Sequence, residues 1–287
     1  MNISLTINNN TCIRCGKCVK ICPAAIFVQE KTGSTVELTH IEHCIQCGHC
    51  VAVCPTASIL HSEFPQEKVH AIDPALLPSP EQFMLLCKAR RSNRAFSSDP
   101  IPMEMLDMIL EAAHRAPTAS NLQQVEFTLV TDPEKLKQIA DITVNIFSEV
   151  ASKLQNVFLK PILKLIMPDV YKLLPRLKRL KEEHLQGNDP ILRKATTIIF
   201  IHTPTKNRFG CQDANLAYQN GSLMAETLGV SQFYTGFVCN SIKQDKKGRI
   251  AKLLGINGTI HAGMALAMPA FKFPNYMDKK EINVNRI

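Results

Sequence analysis

Eight of the chain's eleven cysteines fall into two copies of one spacing: Cys12, Cys15, Cys18, Cys22 before Pro23, and Cys44, Cys47, Cys50, Cys54 before Pro55. Each copy reads C-x2-C-x2-C-x3-C-P, the bacterial run for 4Fe-4S clusters in which the fourth cysteine ligates the other cluster. Thiolates at this spacing on a tight loop wrap three corners of a cube, and the proline stops a helix from running on through the site. The pattern assigns Cys12, Cys15, Cys18 and Cys54 to one cluster, and Cys44, Cys47, Cys50 and Cys22 to a second. Cys12 to Cys44 and Cys22 to Cys54 are both 32 positions apart, so the motif is an internal repeat. Tetrahedral zinc sites use paired C-x2-C knuckles and have no use for a third and fourth cysteine at these offsets. A disulfide framework fits less well still, because MNISLTINNNTC does not read as a secretory leader.

A chain of 287 residues has room for a small cluster domain and one full globular domain with its own core. No uninterrupted apolar run of about 18 residues suggests a membrane span. Clusters and three further cysteines point to a reducing cytoplasm. The net charge of +8 is uneven, with eight basic residues and one acidic one between Lys153 and Lys181. A basic balance suits nucleic acid, anionic lipid, an acidic redox partner or an anionic cofactor. The first is the weakest reading, since the chain has no tryptophan, four tyrosines and no nucleic-acid module.

Residues 1–62 are expected to form the cluster domain, with strand candidates ISLTI and STVEL flanking the first motif. Residues 63–80 carry four prolines without periodicity and read as a linker. Ser79, Pro80 and Gln82 then spell a helix start. From 81 to 287 helices and strands mix. Helical patterns are SPEQFMLLCKAR, PMEMLDMILEAAHRA, DPEKLKQIADI, CQDANLAYQNGSLMAETLG and KQDKKGRIAKLLG; strand patterns are VEFTLV, ATTIIFIHT, QFYTGFV and the apolar TIHAGMALAM. The expected class is α+β, helices packed on an apolar sheet. The helix from Cys211 has small or apolar residues on nearly every face and is expected to be buried all round, in the core or at a subunit interface. Cys87, Cys211 and Cys239 read as buried small hydrophobes, Cys211 being the one at a helix start where thiols gain reactivity. His43 and His49 adjoin a cluster already satisfied by cysteine. His114, His202 and His261 read as hydrogen-bonded core or edge residues.

The second domain has neither G-x-G-x-x-G after a strand nor a P-loop. It does have Arg90, Arg91, Ser92 and Arg94 within five residues, fixed cations and a hydroxyl suited to a phosphate and an electron-rich ring edge. With RRSNRAF at 90–96, RAPTASNLQ at 115–123, DANLAYQNGSLMAETLGV and FYTGFV at 233–238, the sequence over about 82–270 resembles the nitroreductase family, FMN flavoproteins that bind the flavin at a dimer interface. Domains of that kind behind two ferredoxin-type motifs are a known arrangement in the family.

The resemblance implies that Arg90, Arg91 and Ser92 hold the FMN phosphate and ribityl chain and that Arg94 faces the pyrimidine edge. Pro117, Thr118, Ala119 and Asn121 would reach the FMN of the other subunit, with Gln123 supporting their loop. Phe233, Tyr234, Thr235 and Gly236 would pass along the flavin, with a backbone N–H of Thr235 or Gly236 directed at N5. Lys279 and Lys280 would replace a C-terminal arginine that many members use on the phosphate. The basic stretch within an insertion at about 145–190 would cap the flavin pocket; its rival reading is an amphipathic surface helix on anionic lipid.

The expected protein is a cytoplasmic homodimer that takes electrons from a low-potential donor such as ferredoxin through two 4Fe-4S clusters to FMN. From there they would pass to a nitroaromatic, quinone or activated alkene. The alternatives are an electron-transfer subunit of a larger complex, or reductive dehalogenation or flavin modification on the same fold.

Overall fold

The computed structural model describes residues 3–156, 160–166 and 168–287. The chain forms two compact units, one made of Met1–Leu77 with Ala119–Leu122, the other of Pro78–Thr118 with Gln123–Ile287. The break at Leu77 falls inside the expected 63–80 linker, and the short segment Ala119–Leu122 joins the first unit although its neighbours in sequence belong to the second.

The first unit contains β1 (Leu5–Ile7), α1 (Lys17–Ile21), β2 (Phe27–Val28), β3 (Glu37–Leu38), α2 (His49–Val53) and β4 (Ile59–His61). β1 pairs antiparallel with β4, and β2 with β3. The 32-residue repeat recurs in the backbone, with left-handed residues at Arg14 and Gln46, Gly16 and Gly48, Ala25 and Ala57. Glycine is needed before each helix because a Cβ at Gly16 would meet the Gln29 side chain and one at Gly48 the Phe64 ring, on top of the positive φ. Leu5, Ile26, Phe27, Val36 and Ile59 form a small core around Cys18 and Cys50.

The second unit begins with α3 (Pro80–Ala89), whose Ser79 and Gln82 form the expected capping box. There follow α4 (Met103–His114), β5 (Glu126–Val130), α5 (Pro133–Leu154), α6 (Lys160–Ile166), α7 (Pro168–Leu185), β6 (Thr197–Thr203), α8 (Gly210–Thr227), β7 (Ser231–Tyr234), α9 (Gly236–Gln244), α10 (Arg249–Leu254) and β8 (Thr259–Ala267). The sheet runs β5-β6-β8-β7, antiparallel throughout. Every residue of β6 is buried, because the pleat sends alternate side chains to two covered faces. Ile198 and Phe200 share one core cluster with Ile139 and Val144 of α5, whereas Ile199 and Ile201 share another with Leu106 and Ile109 of α4 and Ala214 and Ala217 of α8. This is the helix-on-sheet packing expected of the α+β class.

Four expectations change. The strand QFYTGFV stops at Tyr234, and Gly236 opens α9, because Val238, Cys239 and Ser241 bury at helical rather than alternating positions. KQDKKGRIAKLLG is not one helix: Asp245 accepts the N–H groups of Lys247 and Arg249, and left-handed Gly248 starts α10 afresh. Cys87 and Cys211 are exposed; only Cys239 of that trio is buried. In the single chain α8 buries one face, and the other, with Leu216 47% exposed, is the face that the expected subunit interface would cover. DPEKLKQIADI extends to a 22-residue α5, since Val144, Phe147, Ala151 and Leu154 prolong its apolar face. Within the basic insertion, residues 157–159 and 167 lie outside the described residues. His202 and His261 are hydrogen-bonded as expected, to Thr128 and Thr203. Among the described residues no helix is long and apolar enough to cross a membrane.

Gly263 marks where the sheet admits a close approach. A Cβ there would collide with Thr235 Oγ1, while the Gly263 carbonyl accepts the Thr235 N–H at 2.8 Å. Gly263→Ala is expected to destabilise the protein by about 1–3 kcal/mol, the range for overpacking. A denaturation midpoint unchanged from the parent would contradict this reading of the β7–α9 corner.

Candidate functional site: two thiol sets and an arginine loop

In the first unit, Cys22, Cys44, Cys47 and Cys50 line one cleft walled by Leu5, Ile26 and Phe27. The cysteine contributed across the repeat, Cys22, is thus placed with the second motif. Cys12 and Cys15 lie near enough to Cys18 for their charges to act on it. The surroundings suit a cationic iron-sulfide core. Burial pushes the Cys50 thiol up to about 11, and the neighbouring charges of Cys47, Cys44 and Cys22 push the same way. The Cys50 thiolate is therefore the one that most needs a positive group beside it. Among the described residues no three His, Cys, Asp or Glu converge on a point that a single ion could occupy; the ligands of a four-iron cube stand farther apart, one to each iron.

Hydrogen bonds to sulfur are already in place. Cys44 Sγ accepts the Gln46 N–H at 3.4 Å and lies 3.6 Å from His61 Nε2. Cys54 Sγ accepts the Ser58 N–H at 3.2 Å and sits 3.7 Å from the Thr56 hydroxyl. Burial raises the Cys54 thiol, but the N–H groups of Thr56 and Ser58 outweigh it and hold the thiol below its ordinary value. His61 is buried, which holds its imidazole below the ordinary value.

In the second unit, α3 ends at Arg90, whose N–H still bonds the Leu86 carbonyl. The loop beyond is pinned by Asn93, whose side chain donates to Ser231 Oγ at 2.8 Å and to the Phe271 carbonyl at 3.0 Å, and accepts the Ala95 N–H. Gln232 donates to the Arg91 carbonyl and accepts the Tyr218 hydroxyl at 2.7 Å. The Arg94 guanidinium lies 5.3 Å from the centroid of the Phe233 ring, and Phe96 stacks on the same ring. Burial raises the Tyr218 phenol, against which the Arg90 and Arg94 charges act. The fold thus sets Arg94 against Phe233 and brings the charges of Arg90 and Arg94 to bear on Tyr218, which packs edge-on against Tyr234, with Arg91 tied to Gln232 through its carbonyl and Ser92 exposed on the same loop. Asn93, Tyr218, Ser231 and Gln232 were not foreseen. Asn93 lies inside the arginine run itself; polar Gln232 within an apolar strand was the available sign of a buried partner.

Thr235 is buried and its N–H is spent on Gly263, so of the two expected N5 donors only Gly236 remains, at the first position of α9 where a helix's amides lack helical partners. Gln123 N–H donates to Thr118 Oγ1 at 3.0 Å. Ser120, Asn121 and Gln123 are left-handed, a strained conformation for three non-glycine residues in four positions. Pro117 and Thr118 stay with the second unit, but Ala119 and Asn121 belong to the first. There Asn121 Nδ2 donates to the carbonyls of Ile45 at 3.2 Å and Gln46 at 2.8 Å, inside the Cys44–Cys47 loop. Lys279 and Lys280 are exposed in the irregular stretch after β8. A separate cavity of about 850 Å³ between α4, α5 and residues 184–197 contains none of the expected flavin residues.

Comparison with known proteins agrees with both halves. A 4Fe-4S dicluster domain profile matches residues 4–55, and the Nitroreductase family profile matches residues 87–268, more than half of the chain. Iodotyrosine deiodinase 1 of Rattus norvegicus is 34% identical over 82 residues, 29% of this chain and 26% of that protein. NADPH-flavin oxidoreductase of Vibrio harveyi is 28% identical over 184 residues, 63% of each. The chain therefore spans less than two thirds of the length of these curated relatives. A crystal structure of a nitroreductase with bound FMN from Bacteroides fragilis superposes with a TM-score of 0.53 at 20% identity, covering 71% of this chain and 98% of that one, a likeness of fold. With an arginine loop, an antiparallel sheet and a profile match that agree over the same residues, the chain belongs to the nitroreductase family and carries a 4Fe-4S dicluster domain ahead of the family's domain.

Proposed function

We propose that the protein is a homodimeric FMN oxidoreductase that receives electrons one at a time through two 4Fe-4S clusters and delivers them in pairs from the flavin to an organic acceptor. The observation that carries this reading is the pairing of Cys22 with Cys44, Cys47 and Cys50 around one cleft, in a chain whose remaining body is a flavin oxidoreductase fold. A one-electron wire fused to a cofactor that stores one or two electrons converts single-electron donors into two-electron chemistry.

The residues fit the flavin. Arg90, Arg91 and Ser92 would hold its phosphate and ribityl chain, with the loop kept rigid by Asn93. Arg94, supported on Phe233, would place a cation at the pyrimidine edge, where it favours the anionic reduced flavin. Tyr234 and Gly236 would lie along the ring, Gly236 supplying the N–H, while Thr235 fixes the corner beneath. Thr118 and Gln123 would brace the loop from Pro117 that faces the other subunit's flavin; Asn121, whose side-chain nitrogen is taken by Ile45 and Gln46, would offer its side-chain oxygen there. Lys279 and Lys280 would approach the phosphate from the C-terminal arm. Exposed Phe83, Met84 and Leu85 on α3, with Leu216 on α8, give a dimer apolar surface to cover.

Nitroaromatics, quinones and activated alkenes are the acceptors to screen, with ferredoxin as donor. Halogenated phenols form a second class, favoured by the similarity to a protein named iodotyrosine deiodinase. Iron and flavin counted in anaerobically purified protein test the architecture. About eight irons and one FMN per chain are expected; full iron without flavin would replace this reading with that of a docking electron carrier. Halide release exceeding nitroaromatic turnover would favour dehalogenation.

A further inference from the structure

The two halves of the cluster unit are unequal at one position of the repeat. The 32-residue offset sets Gln29 against His61 and Arg14 against Gln46. In the first half, the Gln29 side-chain amide donates to the carbonyls of Arg14 at 3.0 Å and Ser34 at 2.7 Å, so it serves the loop and not the sulfurs. In the second half the imidazole faces Cys44 Sγ instead. The Gln46 carbonyl, counterpart of Arg14's, takes its amide donor from Asn121. Two substitutions in the repeat thus go together: a distant asparagine replaces the glutamine's bond, and a ring takes the glutamine's place with its nitrogen toward a thiolate.

The geometry of that ring is over-determined. His61 Nδ1 accepts the Glu63 N–H at 3.1 Å, which leaves Nε2 as the ring nitrogen that carries a proton. Its backbone pairs with Leu5 across β1–β4, and Phe64 packs edge-on at 5.1 Å between ring centroids. Phe64 in turn occupies the space that a side chain at position 48 would need. His61 is only 5% exposed, so its N–H has little water to bond and faces sulfur.

We propose that His61 tunes the second cluster, its Nε2–H donating to the Cys44 thiolate so that this cluster accepts an electron more readily than it would without the imidazole. The inference rests on the two-cluster reading above. One electron taken up adds one unit of negative charge, shared with the thiolate sulfurs, and no bond forms or breaks. An N–H aimed at one of those sulfurs favours the more negative state, and hydrogen bonds to sulfur are among the factors that set cluster potentials. Cys54, which belongs to the first set, draws its donors from its own turn at Thr56 and Ser58, so the effect of His61 is confined to the second cluster.

The test is an EPR-monitored redox titration of the full-length, anaerobically purified protein, with iron counted in every sample. His61→Phe keeps a ring and removes the donor; the second cluster's reduction constant is expected to fall about tenfold, 59 mV for one electron, with the first cluster unmoved. His61→Gln, which restores an N–H, should recover part of the shift. Full iron with both potentials unchanged in His61→Phe would overturn the proposal. If that variant loses iron, pulsed EPR of the reduced parent protein carrying 15N-histidine decides, since a nitrogen coupling on one cluster's signal supports the bond and its absence refutes it. A parent protein with only about four irons would instead overturn the two-cluster reading itself.

Discussion

Alanine at both Arg90 and Arg94 is expected to strip the flavin from the protein while leaving its iron in place. The two guanidiniums emerge from a loop that Asn93, Ser231 and Gln232 hold rigid without their help, so their removal should leave the loop standing. Arg90 sits at the C-cap of α3 through its backbone, which alanine retains. Arg94 spends its side chain on a 3.3 Å bond to the Ser92 carbonyl and on the Phe233 ring, contacts of small structural worth. Hydrogen bonds to charged groups contribute about 1.5–3 kcal/mol each, so losing two should weaken FMN binding by on the order of a hundredfold or more. The measurement is flavin released per chain after gel filtration, beside iron per chain and the melting temperature. A double variant that keeps its flavin would show that these arginines are not its anchor. Loss of iron along with flavin would mean that the damage was to folding.

Cys22→Ser is expected to remove the second cluster and spare the first, although Cys22 is the last residue of the first motif. The reason is spatial: Cys22 faces the cleft shared with Cys44, Cys47 and Cys50. About half of the iron, roughly four atoms, should be lost. Additivity sharpens the result. Adding Cys47→Ser to Cys22→Ser should cost no more iron, because both strike one cluster, whereas adding Cys15→Ser should remove nearly all of it. The reverse order, in which Cys22 couples with Cys15 and not with Cys47, would mean that each motif fills its own cluster.

Local chemistry made the cluster half legible. Thiol spacing and a proline after each fourth cysteine act over a few residues, so one short window holds all the information, and the helix start at Ser79–Gln82 in the second unit was legible for the same reason. The strands β6 and β8 were readable for a related reason, since a strand covered on both faces reads as a near-continuous apolar run. Reading failed where two local preferences compete. The segment QFYTGFV has strand composition throughout, but after Tyr234 the burial of Val238, Cys239 and Ser241 at helical spacing wins. Lys243–Gly255 has helical composition, but the Asp245 carboxylate captures backbone amides and ends the helix. Cys87 and Cys211 were misjudged because a cysteine's burial depends on what packs over it.

By itself, the sequence determined which chemistry this protein can host: two sets of four thiols in a repeat, a run of fixed cations, and a family order of motifs from 82 to 270. Only the tertiary structure decided which partner each polar group takes. The Thr235 N–H went to Gly263 and left the Gly236 N–H at the first position of α9. The Asn121 amide went to Ile45 and Gln46, and the His61 imidazole turned toward Cys44. Hydrogen bonds between residues tens of positions apart depend on where packing sets the backbones, to within a few tenths of an ångström. No spacing rule along the chain encodes that.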